Sequence, residues 1–285
     1  MAAIIIDGKA IAAKIQEELK QKIAKENEKP GLAIVQVGDN DISAVYINKK
    51  LITGKNVGIN TQHVHLPADI KLTEMLSKID ELNQNPKIHG IIVQLPIPEH
   101  LESYVVLDAI LPSKDVDGFH PMNLGSLVIG MPRFIPATPK GIIKLIESTG
   151  QDLKGKHAVV VGRSNIVGKP VSYLLLQKHC TVTVCHRYTK NLAEFTKQAD
   201  ILVVATGKPG LITGDMIKKD AIVIDVGTTK TKDGKLKGDV DFDSAKEVAG
   251  WITPVPGGVG PMTVTMLLEN TYEAMVDNPL RPKYG

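Results

Sequence analysis

Apolar residues fall along this chain in two alternating rhythms. Ile11, Ile15, Leu19 and Ile23 recur four apart, which puts them on one face of a helix. The stretch GLAIVQV (31–37) is a short, almost unbroken apolar run, the mark of a strand covered on both faces. Helical spacing returns over residues 43–57, and INTQHVHL (59–66) alternates as a half-covered strand does. Residues 72–82 are predicted helical and GIIVQLP (90–96) is another apolar strand; residues 4–6 form a short strand ahead of the series. No Asn-Gly hairpin turn interrupts it, so the predicted sheet is mostly parallel and the fold class α/β.

Residues 111–139, LPSKDVDGFHPMNLGSLVIGMPRFIPATP, are dense in proline and glycine and read as a domain junction. Thr138-Pro139 suits a helix start, threonine as cap and proline in the first turn. A second series follows: HAVVVG, TVTVCH, DILVVAT and AIVIDVG as strands, with helices over 167–178 and 192–198, a short capped helix at TGDMIKK, and a last helix from about Thr263.

Composition narrows the function only by exclusion. A chain of 285 residues with 43% hydrophobic and 23% charged residues is an ordinary globular protein of one large or two moderate domains. A net charge of +3 without charge blocks, and 4% aromatic residues, argue against a nucleic-acid partner. No apolar run is long enough to cross a bilayer, and MAAIIIDGKAIAAKI lacks the form of a signal peptide, so no membrane partner is expected. Cys180 and Cys185 bracket one strand, which keeps them unbonded and fits a reducing cytoplasm. The eight histidines are scattered, and no metal site is expected.

The stretch VVVGRSNIVGKP (159–170) carries the first chemical signal: a strand that ends at Gly162 and opens a helix, where free N–H groups and the helix dipole favour an anion. A glycine turn of this kind occurs in many α/β proteins without a ligand. The next strand discriminates. A dinucleotide site for NAD places an acid at its end to bind the ribose hydroxyls. Here the end carries Cys185, His186 and Arg187, and Arg163 lies in the first loop. Two guanidinium groups suit a 2′-phosphate, so NADP is the expected cofactor. Gly227 in AIVIDVGTT lets backbone approach it, and ITPVPGGVGPMT (252–263) is a stiff, side-chain-poor loop fit to line a flat ring.

In the first half, Tyr46 and Lys50 share a helix face, and Gln94 ends an apolar strand, where ligands of α/β sheets bind. On pattern alone, a surface lysine beside a half-buried tyrosine is the commoner arrangement. Asp115 and Asp117, taken singly, are ordinary turn residues.

Taken together, VVVGRSNIVGKP, QLPIP, KDVDGFHPMNLG and ITPVPGGVGPMT resemble, in order and over nearly the whole chain, the bacterial bifunctional methylenetetrahydrofolate dehydrogenase/methenyltetrahydrofolate cyclohydrolase family. The resemblance implies an N-terminal α/β catalytic domain (1–136 with 265–285), a Rossmann-like NADP domain with a mostly parallel sheet (137–264) and a cleft between them. It implies a cytoplasmic homodimer acting on small-molecule tetrahydrofolate derivatives. Lys50 matches the catalytic lysine, with Tyr46 and Gln94 beside it, and Asp117 the folate-binding aspartate. Tyr46, Pro256, Gly257 and Gly258 match further substrate positions, and Gly162, Arg163, Ser164, Arg187 and Thr228 match cofactor positions. Two departures stand out: Ala137 where the family often has cysteine, and Gly227-Thr228-Thr229 where it often has Gly-Ile-Asn. A dehydrogenase without hydrolase activity, a non-catalytic dinucleotide sensor and an oxidoreductase for shikimate or an amino acid are the competing expectations. Lys50 with Gln94 argues against the first, the combination of Lys50, Gln94 and Asp117 against the second, and ITPVPGGVGPMT against the third.

Overall fold

The computed structural model describes residues 2–231 and 234–276. They form two compact units, one made of Lys14–Ala137 with the chain from Val264 on, the other of Thr138–Thr263 with the chain up to Ala13. Strand β1 (Ile4–Ile5) leads into α1 (Gly8–Ala24), whose first turn is closed by Asp7, its carboxylate accepting the Ala10 N–H at 3.0 Å. Leu19 and Ile23 are the buried members of the predicted helical stripe.

The first unit continues through β2 (Gly31–Val37), α2 (Asp41–Val57), β3 (Asn60–Leu66), α3 (Leu72–Gln84) and β4 (Gly90–Val93). The strands form a parallel sheet in the order β3-β2-β4. Its centre is β2, buried at every residue, as its continuous apolar run requires. Strand β3 lies at the edge, and only Val64 of its alternating set is buried. Met75, Ile79 and Leu82 of α3 pack with Ala33, Val35, Ile91 and Val93 into one core. Full burial of each such side chain stabilises by roughly 1.5–3 kcal/mol. The chain then passes through α4 (Ser103–Asp108) and α5 (Pro121–Val128) to α6 (Ala137–Glu147).

The second unit adds β5 (His157–Val161), α7 (Gly168–Gln177), β6 (Thr181–Cys185), α8 (Leu192–Thr196), β7 (Ile201–Val204), β8 (Ile222–Asp225), β9 (Thr229–Lys230), β10 (Leu236–Lys237), α9 (Phe242–Ala245), β11 (Trp251–Ile252) and the start of α10 (Val259–Val276). Six strands run parallel in the order β1-β11-β8-β7-β5-β6. Every loop that follows a strand therefore leaves the same edge of the sheet. Both faces are covered: β5, β7 and β8 are buried along almost their whole length.

Four sequence expectations change. Residues 2–13 go with the six-stranded sheet rather than with the first unit, because the partner of β1 is β11, Ile4 lying opposite Trp251. The last helix starts at Val259, four residues earlier than Thr263, since Pro261 in the first turn needs no N–H partner. Helix α6 takes in Ala137, so Thr138 lies inside its first turn, with its hydroxyl 3.0 Å from that of Thr263. At 213–219 only a single 3₁₀ turn forms (Gly214–Met216), and the Thr213 side chain turns to Asp215 instead of capping it. The antiparallel ribbon β9–β10 is an addition to the parallel series.

Within the first unit, Asn270 of α10 is buried and donates from Nδ2 to the carbonyls of Val116 and Ile135, both at 2.9 Å. Asn270→Ala leaves two carbonyls without that donor and is expected to cost about 2–3 kcal/mol. Urea denaturation measures it, as a lower midpoint with an unchanged slope.

Candidate active site

Helix α2 sets the first group. Asn40 caps it by accepting the Ser43 N–H at 2.9 Å, and Gly58 ends it in the left-handed region at φ 93. Tyr46 and Lys50 lie one turn apart on it, both part-exposed. Lys50 Nζ donates to Gln94 Oε1 at 3.0 Å. Gln94 is the first residue beyond β4, and its N–H still bonds Val35 O at 2.8 Å. Its Nε2 donates to Leu95 O at 2.9 Å, which turns the amide oxygen toward the lysine. Burial lowers the Lys50 pKa below the usual lysine value, and the Asp117 carboxylate opposes that shift. Sequence pattern favoured a solvated lysine here; the structure gives it a polar partner and a low-dielectric setting.

The two aspartates of KDVDGFH have different tasks. Asp115 is buried, and its Oδ2 accepts the His120 N–H and Asn123 Nδ2, both at 2.8 Å. Asn123 also donates to Pro112 O at 3.0 Å, and His120 Nδ1 accepts the Met122 N–H at 3.1 Å at the start of α5. These bonds fold the turn, and sequence reasoning did not identify His120 or Asn123. Asp117, two residues on, has no hydrogen-bond donor among the described residues. Burial raises its pKa to about 6; Asp115 pushes in the same direction and the Lys50 ammonium against it. It keeps partial exposure, so a ligand can reach it. A desolvated carboxylate without donors is suited to a ligand that brings N–H groups of its own.

The second group sits at the C-terminal edge of the six-stranded sheet. Gly162 follows β5 at φ +126, and a Cβ there would collide with the Ala205 carbonyl; one on Gly168 would collide with Gly162. The tight crossing leaves a cradle without side chains at the start of α7. Ser164 closes it, its Oγ accepting the Val167 and Gly168 N–H groups at 3.1 and 3.3 Å. Strands β5 and β6 pair Val161 with Cys185, so Arg163 and Arg187 each stand two residues beyond one rung of the ladder. Both are exposed. Arg187 Nη2 donates to the Tyr188 hydroxyl at 2.6 Å, and its guanidinium carbon lies 4.6 Å from that ring's centroid. Thr228 is exposed just past β8. Pro256, Gly257 and Gly258 form the turn between β11 and α10, with Gly257 at φ +114. The side-chain-free cradle and two exposed guanidinium groups fit a phosphorylated dinucleotide. Among the described residues no group of three or more His, Cys, Asp or Glu could hold a metal ion. Cys180 and Cys185 are free and buried.

Residues 6–117 match the model of the tetrahydrofolate dehydrogenase/cyclohydrolase catalytic domain, and residues 136–278 that of the same family's NAD(P)-binding domain. The bifunctional protein FolD of Moorella thermoacetica is 56% identical over 277 residues, covering 96% of this chain and 99% of that protein. Among solved structures, the bifunctional methylenetetrahydrofolate dehydrogenase/cyclohydrolase FolD of Campylobacter jejuni superposes with a TM-score of 0.94 at 45% identity, over 97% of this chain and 99% of that one. The Trypanosoma brucei methylenetetrahydrofolate dehydrogenase-cyclohydrolase, complexed with NADP cofactor and inhibitor, gives a TM-score of 0.94 at 38% identity, over 99% and 100%.

The raised pKa of Asp117 has a consequence for stability. Its folded value of about 6 lies above its ordinary 3.8, so the folded chain holds a proton that the unfolded chain has released. That contribution is fully present below the ordinary value and is lost as pH rises through about 6. Wild type is therefore expected to lose stability relative to Asp117→Asn as pH rises across this window. Urea midpoints for both proteins at several pH values check it; parallel curves would mean that Asp117 is solvated.

Proposed function

The chain belongs to the tetrahydrofolate dehydrogenase/cyclohydrolase family and is a bifunctional folate enzyme, and on that premise we propose that Lys50, Gln94, Tyr46 and Asp117 carry its folate chemistry. It oxidises 5,10-methylenetetrahydrofolate to the 5,10-methenyl form with NADP⁺ and hydrolyses that product to 10-formyltetrahydrofolate. Its NADP-binding residues are Gly162, Arg163, Ser164, Arg187 and Thr228. Gly162 and Ser164 would border the diphosphate, and the guanidinium groups of Arg163 and Arg187 would take the 2′-phosphate. NADP⁺, when bound, accepts hydride from the methylene carbon between N5 and N10. The folate nitrogens supply the electron push for that transfer, so the protein's task is positioning rather than acid–base work. Pro256, Gly257 and Gly258 form a backbone surface with little side-chain bulk, suited to a flat ring.

Hydrolysis needs a base. Water adds to the methenyl carbon and one of its protons goes to a base; the N5–carbon bond then breaks as the hydroxyl becomes the formyl carbonyl on N10, and the hydroxyl's proton passes to N5. Lys50 is the base we assign. A neutral amine donates one N–H to Gln94 Oε1, as its 3.0 Å contact allows, and keeps its lone pair for the water proton. Burial already lowers its pKa, and the cationic methenyl group lowers it further by charge repulsion. Gln94 orients the amine and Tyr46, one turn away, borders the same space. Asp117 takes the donor edge of the pterin, whose ring N–H and amino groups match two carboxylate oxygens. The observation that carries this reading is the pairing of a desolvated lysine, held by Gln94, with a carboxylate that lacks donors of its own.

No helix among the described residues is long and apolar enough to cross a membrane. The family resemblance supports a homodimer acting in the cytoplasm, and light scattering at twice the chain mass is the expected result for the dimer.

Lys50→Met is expected to lower methenyltetrahydrofolate hydrolysis by about 10²–10⁴-fold while hydride transfer stays measurable. Unimpaired hydrolysis would remove Lys50 from the base role. Asp117→Ala is expected to raise KM for folate roughly 10–100-fold, the loss of charge-assisted hydrogen bonds, with NADP⁺ affinity within about twofold. Equal losses for both ligands would contradict its assignment.

A further inference from the structure

Two carboxylates lie buried together beneath the C-terminal edge of the six-stranded sheet and take no part in the chemistry above. Asp225 ends β8 and is 4% exposed; Asp239 follows β10 and is wholly buried. Asp225 Oδ1 accepts the N–H groups of Gly227 at 3.0 Å and Asp239 at 2.9 Å, and its Oδ2 accepts that of Val240 at 2.9 Å. Asp239 Oδ2 accepts the Thr206 N–H, the Thr206 hydroxyl at 3.0 Å and the Gly207 N–H at 2.9 Å. Asp239 Oδ1 is buried and has no partner among the described residues.

Neighbouring buried carboxylates cost desolvation and repel one another, so packing alone gives no reason for the pair. The six donors they gather do. Those donors come from three segments: the chain leaving β7 at 206–207, the chain leaving β8 at 227, and the exit of β10 at 239–240. In an open parallel sheet, the loops leaving these strand ends are the ones a dinucleotide meets. Thr228, one of its assigned contacts, directly follows Gly227. Strand β7 lies between β5 and β8, so the 206–207 loop stands between the glycine cradle and Thr228.

We infer that Asp225 and Asp239 are positioning residues for NADP, a carboxylate clamp that holds the loops after β7 and β8 in one backbone geometry. The inference rests on the assignment of the NADP site made above. The clamp acts through backbone groups and touches neither folate nor the reacting atoms.

The hydrogen-bond pattern makes the two acids unequal toward an amide. In Asp239→Asn the carbonyl oxygen keeps all three donors and the NH₂ takes the place of the unpartnered Oδ1. In Asp225→Asn every orientation points the NH₂ at a backbone N–H. The test uses the full chain at pH 8: KM for NADP⁺ at saturating 5,10-methylenetetrahydrofolate, beside hydrolysis of 5,10-methenyltetrahydrofolate without NADP⁺. Asp225→Asn and Asp239→Ala are expected to raise KM for NADP⁺ by about tenfold or more, with hydrolysis within about twofold of wild type. Asp239→Asn is expected to restore KM to within about threefold. The inference is overturned if the two amide variants raise KM alike, if neither Asp225→Asn nor Asp239→Ala raises it, or if hydrolysis falls in step with NADP⁺ use. A wild-type chain that leaves NADP⁺ unreduced would overturn the functional reading, and this inference with it.

Discussion

The chemistry of this chain depends on keeping an amine and a carboxylate close together with too little water. Lys50 is desolvated enough to lose affinity for its proton, and Asp117 is desolvated enough to gain affinity for one. Each partly restrains the other, since the ammonium holds the carboxyl down and the carboxylate holds the ammonium up. Gln94 lets the arrangement persist, giving the lysine an oxygen to donate to in either protonation state. A folate that takes Asp117 with neutral N–H donors, and that carries a cation near Lys50, shifts both groups in the direction hydrolysis needs.

Two structural devices hold these groups in place. One is the parallel sheet of the first unit, which delivers Gln94 at the end of β4, beside the β2 strand that leads into α2. The other is the turn around Asp115, whose carboxylate accepts from the His120 N–H and the Asn123 amide while Asn270 donates to Val116 O, so the turn holds without Asp117. The second unit uses the same logic at its strand ends. Glycine makes room for phosphate after β5, and buried carboxylates replace absent backbone partners after β7 and β8. In both units polar groups that look dispensable in sequence set the geometry of those that face a ligand.

Much of the fold was legible because strands buried on both faces announce themselves. Runs such as 31–37 and HAVVVG (157–162) are apolar enough to leave one reading; the first matches its strand residue for residue, and the second runs one residue past β5, into Gly162. Short elements were harder: β1 and β11 are two residues each, and no local pattern tells residues 2–13 that their partner lies some 250 positions away. The site was legible in unequal parts. The glycine turn and the absence of an acid after β6 followed from physical argument. Lys50 and Asp117 stood out only through family resemblance, because a lysine at helical spacing and an Asp in a turn are ordinary by pattern. Asp225 was within reach. A polar residue that ends an apolar strand needs a hydrogen-bond partner, and that holds for Asp225 as it does for Gln94. Asp239, fixed by contacts with residues 206–207 far earlier in the chain, carried no such signal.

The most direct test of the central claim is the ionisation of Lys50 itself, followed by NMR of ¹³C-labelled lysine in the full chain, with Lys50→Met to assign the signal. The account predicts titration below the ordinary lysine value of 10.5, and a further downward shift when a cationic methenyl-folate analogue is bound. Titration at or above that value, unmoved by the analogue, would contradict it.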